Sequence, residues 1–223
     1  MKDYFLQFTL LSDATFGRGD GLAGLLDTEV QHDAYGLPYL GGRTLKGLLA
    51  AECADIVFAL ERASPSQRKR WRVAQGRLFG RIGSKLDGKA ILSVGAARLP
   101  EDLRHKVAED VRNETYTPGE VLEMVTALRR QTAMDVRSGA PLEDSLRTMR
   151  VVLRGTVFEA PLYFREEPSP DDLALLGACV KAFRRAGIAR NRGRGRLSAK
   201  LYDKARQDVT ELLFADFQKA VSA

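Results

Sequence analysis

Histidine and cysteine are scarce in this sequence, two of each in 223 residues. His32 and His105 do not stand at ligand spacing, and a zinc site needs more donors than these, so zinc chemistry is set aside. Cys53 and Cys179 each fall in an apolar, helix-like context, which favours buried thiols over a disulfide. No apolar run is long enough to cross a bilayer, and the chain opens on a strand-like segment rather than a secretion leader. These absences lead us to expect a reduced, cytoplasmic setting with no membrane partner. Internal repeats and low-complexity tracts are missing too.

What is present is an ordinary globular balance, 44% hydrophobic and 29% charged, with enough chain for a substantial core. Lys and Arg number 35 against 29 Asp and Glu, a formal net charge of +6 with a pI near 9.4. The excess alone is a weak pointer to a polyanion. Its distribution says more, because thirteen arginines fall between Arg129 and Arg196. Basic clustering of this kind favours a phosphate-backbone footprint.

Hydrophobic patterning divides the chain into strands and helices. A strand is expected over 4–11 (YFLQFTLL), a loop over 12–26, and a helix over about 44–62 with Leu45, Leu49, Cys53, Val57 and Leu60 on its apolar face. Ser64-Pro65-Ser66 breaks that helix, and Ser66 is a candidate cap for a basic helix running to Phe79. Within it, Trp71 and Phe79 read as core rather than base-stacking residues, and Arg68-Lys69-Arg70 as a solvated face. A glycine-punctuated loop over 80–88 and a strand over 90–96 follow. Helices are expected over 100–111 and about 120–132, then a polar loop or hairpin arm over 134–148, and a strand or strand pair over 150–164. The remainder reads as a helix over 172–186 capped by Pro168-Ser169-Pro170-Asp171, a glycine–arginine loop over 187–196, a strand over 197–202 and a helix over 209–221. Strand, helix, strand, then again strand, helix, strand makes an α+β chain in the order of a ferredoxin-like βαββαβ sheet with insertions.

The chemistry-bearing residues concentrate in 27–47, DTEVQHDAYGLPYLGGRTLKG. Asp27, His32 and Asp33 lie in a polar segment, Gly36 and Pro38 punctuate a loop or short extended piece, and Gly41-Gly42 precede a helix start at Arg43-Thr44-Leu45-Lys46. Two glycines before a helix let backbone N–H groups and the positive helix end approach a phosphate. A lysine in a first turn opposes the helix dipole, so a bound anion would account for Lys46; a solvated lysine is the alternative. The span is not a P-loop, because no Ser or Thr follows the lysine and the preceding spacing fails. Asp33 fits an Asx-turn ahead of Gly36. His32 is a candidate base with no second histidine near it, and Asp27 taken alone is an exposed loop acid or a cap.

Residues 187–196, GIARNRGRGR, interleave arginines with glycines between a helix and a strand. Glycines permit close backbone approach, and guanidinium forks match phosphate oxygens. These glycines stand before a strand rather than at a helix start, so they make no dinucleotide fingerprint. A solvated basic turn is the alternative.

Together, Asp27…Asp33…Gly36-Leu37-Pro38-Tyr39-Leu40…Gly42-Arg43-Thr44-Leu45-Lys46-Gly47 and the later glycine–arginine loop resemble the signatures of the RAMP superfamily. More narrowly, they resemble the repeated backbone subunit of type III CRISPR effector complexes. Gly41 stands where that pattern has proline, and Arg43-Thr44 where it has two small hydroxyl residues. The resemblance implies one RRM-like domain over 1–223 with an insertion at about 97–149. It also implies a thumb-like arm over 134–148, on which Met134 and Leu142 would wedge into the guide–target duplex and which Arg129 and Arg154 flank. Asp27 would be the aspartate required for cleavage of target RNA, with a divalent metal ion, Mg²⁺, at the site. Gly41, Gly42, Gly193 and Gly195 would let the backbone approach phosphates. Arg43, Thr44, Lys46, Arg130, Arg137, Arg147, Arg150, Arg190, Arg192, Arg194 and Arg196 would contact RNA. The implied partners are a CRISPR guide RNA, single-stranded target RNA and other effector subunits, including copies or paralogues of this chain. Three roles remain open: a metal-dependent endoribonuclease, a non-catalytic RNA-binding scaffold, and a stand-alone processing enzyme for guide precursors. The last is disfavoured, since such enzymes generally use histidine and only His32 lies near the motif. Base-specific readout is not expected, because backbone contacts carry no sequence information.

Overall fold

The computed structural model describes residues 4–19, 27–63, 67–80, 89–132 and 147–222. The first strand, β1 (Tyr4–Leu10), sets the layout. Its sequence YFLQFTL buries Tyr4, Leu6, Phe8 and Leu10 and leaves the residues between them half-buried, the alternation a strand needs when one face lies on a core. It runs antiparallel between β5 (Val157–Phe164) and β6 (Leu197–Tyr202). The short β2 (Leu92–Val94) extends the sheet beyond β5, giving the order β2-β5-β1-β6. Helices α1 (Gly42–Ala63) and α2 (Arg68–Phe79) lie between β1 and β2 in the chain, and α5 (Pro170–Ala182) lies between β5 and β6. The main sheet and its helices therefore follow the expected strand–helix–strand, strand–helix–strand order of an α+β fold.

Apolar side chains from the covered sheet face meet those of α1 and α5 in a single core. Phe8 stacks on Phe158 with centroids 5.2 Å apart and meets Phe16 and Phe183 edge-on, arrangements that aromatic quadrupoles favour. Trp71 is fully buried, its ring 4.9 Å from that of Phe217 on α6 (Thr210–Ser222). Cys53 of α1 and Cys179 of α5 are buried free thiols, as their context suggests. Burial, and then the neighbouring Cys53, pushes the Cys179 thiol up.

Between β2 and β5 the chain builds α3 (Glu101–Arg112), α4 (Pro118–Val125) and a second, two-stranded sheet of β3 (Thr126–Gln131) and β4 (Arg147–Val152). Here the expected helix over 120–132 is corrected. It stops at Val125, because Thr126 adopts an extended backbone and turns its hydroxyl to the Leu122 carbonyl. The residues that follow then pair in register with β4, from Thr126 opposite Val152 to Gln131 opposite Arg147. The expected strand or strand pair over 150–164 is a pair, whose members belong to different sheets. Residues 133–146 lie outside the described residues, and with them Met134, Leu142 and Arg137 of the expected arm; so does the candidate cap Ser66.

Helix α5 begins on a capping box, with the Ser169 hydroxyl accepting from the Asp172 backbone N–H and the Asp172 carboxylate accepting from that of Ser169. The Asp172 side chain is fully buried and also accepts from Arg77 Nε at 3.0 Å. The helix ends at Ala182 rather than continuing to 186, because Phe183 turns extended and is buried beside Phe8. In urea denaturation, Ser169→Ala should cost about 1 kcal/mol for the lost cap. Asp172→Ala should cost more, about 2–3 kcal/mol, because it strands both the Arg77 guanidinium and the Ser169 backbone N–H.

Candidate nucleic-acid interface

Asp27 is held by the backbone of β4. Its N–H donates to the Thr148 carbonyl at 2.9 Å, and its Oδ2 accepts from the Thr148 N–H at 2.7 Å. Thr28 bridges Met149 in parallel, and Arg150 N donates to the Thr28 carbonyl at 3.0 Å. One residue further on, buried Glu29 receives Arg150 Nε at 3.0 Å and the Val30 N–H at 2.8 Å, while Arg150 Nη1 reaches Thr126 Oγ1 at 3.2 Å. The ion pair and the short ladder fix the Asp27 carboxylate at an exposed lip, with Oδ2 anchored.

The glycine–arginine loop is seated on the residues just after β1. Ile188 N donates to the Thr15 carbonyl at 3.0 Å, Gly195 N to the Asp13 carbonyl at 2.9 Å, and Arg196 N to Ser12 Oγ at 2.9 Å. Arg190–Arg192 form a single 3₁₀ turn. Residues 12–15 in turn lie along β4, with Ala14 opposite Val152 and Thr15 Oγ1 donating to the Arg150 carbonyl. One strand, β4, thus registers both sequence signatures.

They meet in a cleft of about 810 Å³, where Asp27 faces Arg147 at the start of β4 and Arg190 and Arg192 of the loop. Gln131, Asn191 and exposed Ile188 complete its walls. Permanently charged guanidinium groups around one carboxylate suit a phosphodiester, with the carboxylate placed to accept a hydrogen bond or a proton from a ribose hydroxyl. Glu52 of α1 lies close enough to feel Arg190 and Arg184, yet burial, and then Asp55, keeps its carboxyl above the usual range. A protein-built site for the divalent ion implied at Asp27 does not fit these residues. Among the described residues no group of three His, Cys, Asp or Glu converges. Among the described residues Asp27 is the sole acid lining the cleft, and the guanidinium groups that line it with Asp27 repel a cation.

Other expected contacts have partners inside the fold. Arg150 belongs to the Glu29 pair, with only 13% of its side chain exposed. Lys46 donates to the Leu92 carbonyl of β2 at 2.7 Å, and burial, followed by repulsion from Arg165, lowers its pKa. Gly42 is required by packing, since a Cβ there would stand 2.3 Å from the Val94 carbonyl oxygen; Gly41 makes only ordinary contact with Gln31. Arg194 rests on the Met149 sulfur at 2.9 Å. Arg43, Thr44, Arg130 and Arg196 are exposed but do not line the Asp27 cleft. Asp33 forms the expected Asx-turn, accepting from the N–H groups of Tyr35 and Leu37, and His32 faces the Asp33 carbonyl outside the cleft. Glu29, Gln131 and Asn191 were not singled out by sequence reasoning. Glu29 stands two residues from Asp27, but its partner is 121 positions away.

The RAMP superfamily model matches residues 7–198, and this chain belongs to that superfamily. Two solved structures share its fold. One is a chain of a type III-B Cmr-β complex in the apo state, at 13% identity and TM-score 0.59, covering 89% of this chain and 96% of that one. The other is a chain of Cmr-β bound to cognate target RNA, at 11% identity and TM-score 0.59, covering 95% and 98%. No curated protein matches significantly in sequence. No helix among the described residues is long and apolar enough to cross a membrane.

Glu29→Ala should cost about 3–5 kcal/mol, because it leaves Arg150 buried without its counter-charge. The pair Glu29→Leu with Arg150→Met should recover most of that loss in thermal unfolding. Within the loop, Gly195→Ala should destabilise far more than Gly193→Ala. Both have positive φ, worth about 1–2 kcal/mol. Only at Gly195 would the new Cβ fall on another atom, 1.8 Å from the Ala186 carbonyl oxygen.

Proposed function

We propose that this chain is an RNA-binding subunit of a type III CRISPR effector complex, and that its Asp27 cleft holds a target-strand phosphodiester for cleavage. The observation that carries this reading is the meeting of Asp27 with Arg147, Arg190 and Arg192 in one cleft. Superfamily membership and the likeness to chains of Cmr-β complexes, one bound to cognate target RNA, support it. The partners are then a guide RNA, the target RNA and neighbouring effector subunits, including copies of this chain.

The arginines would grip the non-bridging phosphate oxygens and set the ribose beside Asp27. The free carboxylate oxygen takes the 2′-hydroxyl proton. The 2′-oxygen attacks the adjacent phosphorus, the P–O5′ bond breaks, and solvent protonates the departing 5′-oxygen. Holding hydroxyl and phosphate in line supplies most of the rate, and the guanidinium groups stabilise the charge that builds on phosphorus. A second reading, a scaffold that binds RNA without cutting it, is favoured by one observation: among the described residues that line the cleft, arginines are the only titratable side chains besides Asp27.

Asp27→Asn separates the two, because asparagine can still accept the Thr148 N–H but cannot take a proton. In the assembled complex with Mg²⁺ present, target cleavage should fall by about a hundredfold or more while target affinity holds. Cleavage at the unaltered rate would place the activity in another subunit and leave this chain the scaffold role.

A further inference from the structure

The 190–194 loop has a second side. Beyond it lies another cleft, of about 580 Å³, walled by Asp13, Arg129, Leu153 and Arg154 and by Arg192 and Arg194 of the loop. Its one acid among the described residues is engaged on both oxygens. Asp13 Oδ2 accepts from Arg129 Nε and Nη2 at 3.0 and 2.9 Å, and Oδ1 accepts from the Arg154 backbone N–H at 3.1 Å. A single carboxylate therefore sets the Arg129 guanidinium beside the Arg154 backbone, and four arginines outweigh it. Arg154 and Arg192 are exposed. Gly193 sits at the rim with open space where a side chain would stand, so the loop backbone is open to a ligand. Leu11, 54% exposed, offers an apolar shelf in the same wall. Among the described lining residues the one hydroxyl, that of Ser12, donates to the Gly193 carbonyl and accepts from the Arg196 N–H, so with Asp13 also engaged these side chains are suited to binding rather than to proton transfer.

We propose that this cleft is a second phosphodiester site, which grips RNA across the loop from Asp27 with arginines on the phosphate and Leu11 against the sugar. It rests on the RNA-binding reading of the Asp27 cleft. Arg192 lines both clefts, so the two sites share a wall, and a nucleic acid lying over the loop would engage both. The division of labour follows from the acids: Asp13 is spent on holding Arg129, whereas Asp27 keeps an oxygen free.

The test uses Arg154→Ala in the full chain and in the assembled complex. The Arg154 contact to Asp13 is made by its backbone, so truncating the side chain leaves that anchor in place. Affinity for a fluorescent, mixed-sequence single-stranded RNA is read over a salt series, and cleavage at saturating target. Binding should weaken about three- to tenfold and the log–log salt slope should shrink by about 0.7, the value for one lost single-strand phosphate contact. Cleavage at saturation should be unchanged, and Arg154→Lys should restore the slope. If the unaltered chain binds RNA and Arg154→Ala binds it with the same affinity and slope, the second site is wrong while the Asp27 reading stands. If the unaltered chain shows no salt-dependent RNA binding, both fall. Photoreactive uridines placed in the guide or in the target strand then identify the source. Cross-links from either strand to the Arg154 peptide support the site, and none from both overturns it.

Discussion

Glu29 and Arg150 form an ion pair almost out of reach of water, and most of the candidate site hangs from it. Arg150 sits in β4, and its backbone is bonded to Thr28 on one side and, through its carbonyl, to Thr15 on the other. The strand that carries the arginine therefore registers both the Asp27 segment and the stretch on which the glycine–arginine loop is seated. Two charges taken from water gain little net stability even when well paired. An apolar pair would fill the space as well, but it would not fix the direction in which the Asp27 segment leaves β4. The hydrogen bonds from Arg150 to Glu29 and Thr126 are directional, and they tie that segment to both strands of the small sheet.

The two clefts around the 190–194 loop show how one charge type yields different chemistry through pairing. Asp13 is consumed by Arg129 and by a backbone N–H, so its cleft presents only positive charge to a ligand. Asp27 is anchored among the described residues through Oδ2, which leaves its other oxygen in a cleft lined by arginines. The loop between them can be thin because its glycines serve internal ends: Gly195 clears the Ala186 carbonyl, and Gly193 turns the chain at open space. Arginine–glycine alternation is thus a packing solution as well as a charge pattern.

Legibility in the sequence followed the range of the interactions involved. β1 and β6 were plain because period-two burial is written into neighbouring residues, and β6 spans the expected 197–202. The α5 cap was plain because Ser169, Pro170 and Asp172 act within one turn. The helix expected over 120–132 failed halfway because the residues after Thr126 find their hydrogen-bond partners in β4, some twenty positions on. Local propensity cannot see such a partner. Lys46 and Gly42 were read as phosphate contacts from their place before and within a helix start. Both turned out to face β2, one through the Leu92 carbonyl and the other through the Val94 carbonyl. Glu29 went unremarked for the same reason, since a buried acid is recognisable only once its arginine is beside it.

By itself the sequence determined the order of strands and helices, the excess of arginine in its second half, and the two motifs that mark the superfamily. All of these are carried by short-range pattern or by residue identity. Only the tertiary structure decided which cations face outward and which are spent on the fold. It separated Arg147, Arg190 and Arg192 from Arg150 and Lys46, and it set Asp27 opposite a loop more than 150 residues away. The reason is physical: a cationic side chain can bond a carboxylate, a carbonyl or a phosphate, and which of them it meets is decided by what packing brings within a few ångströms.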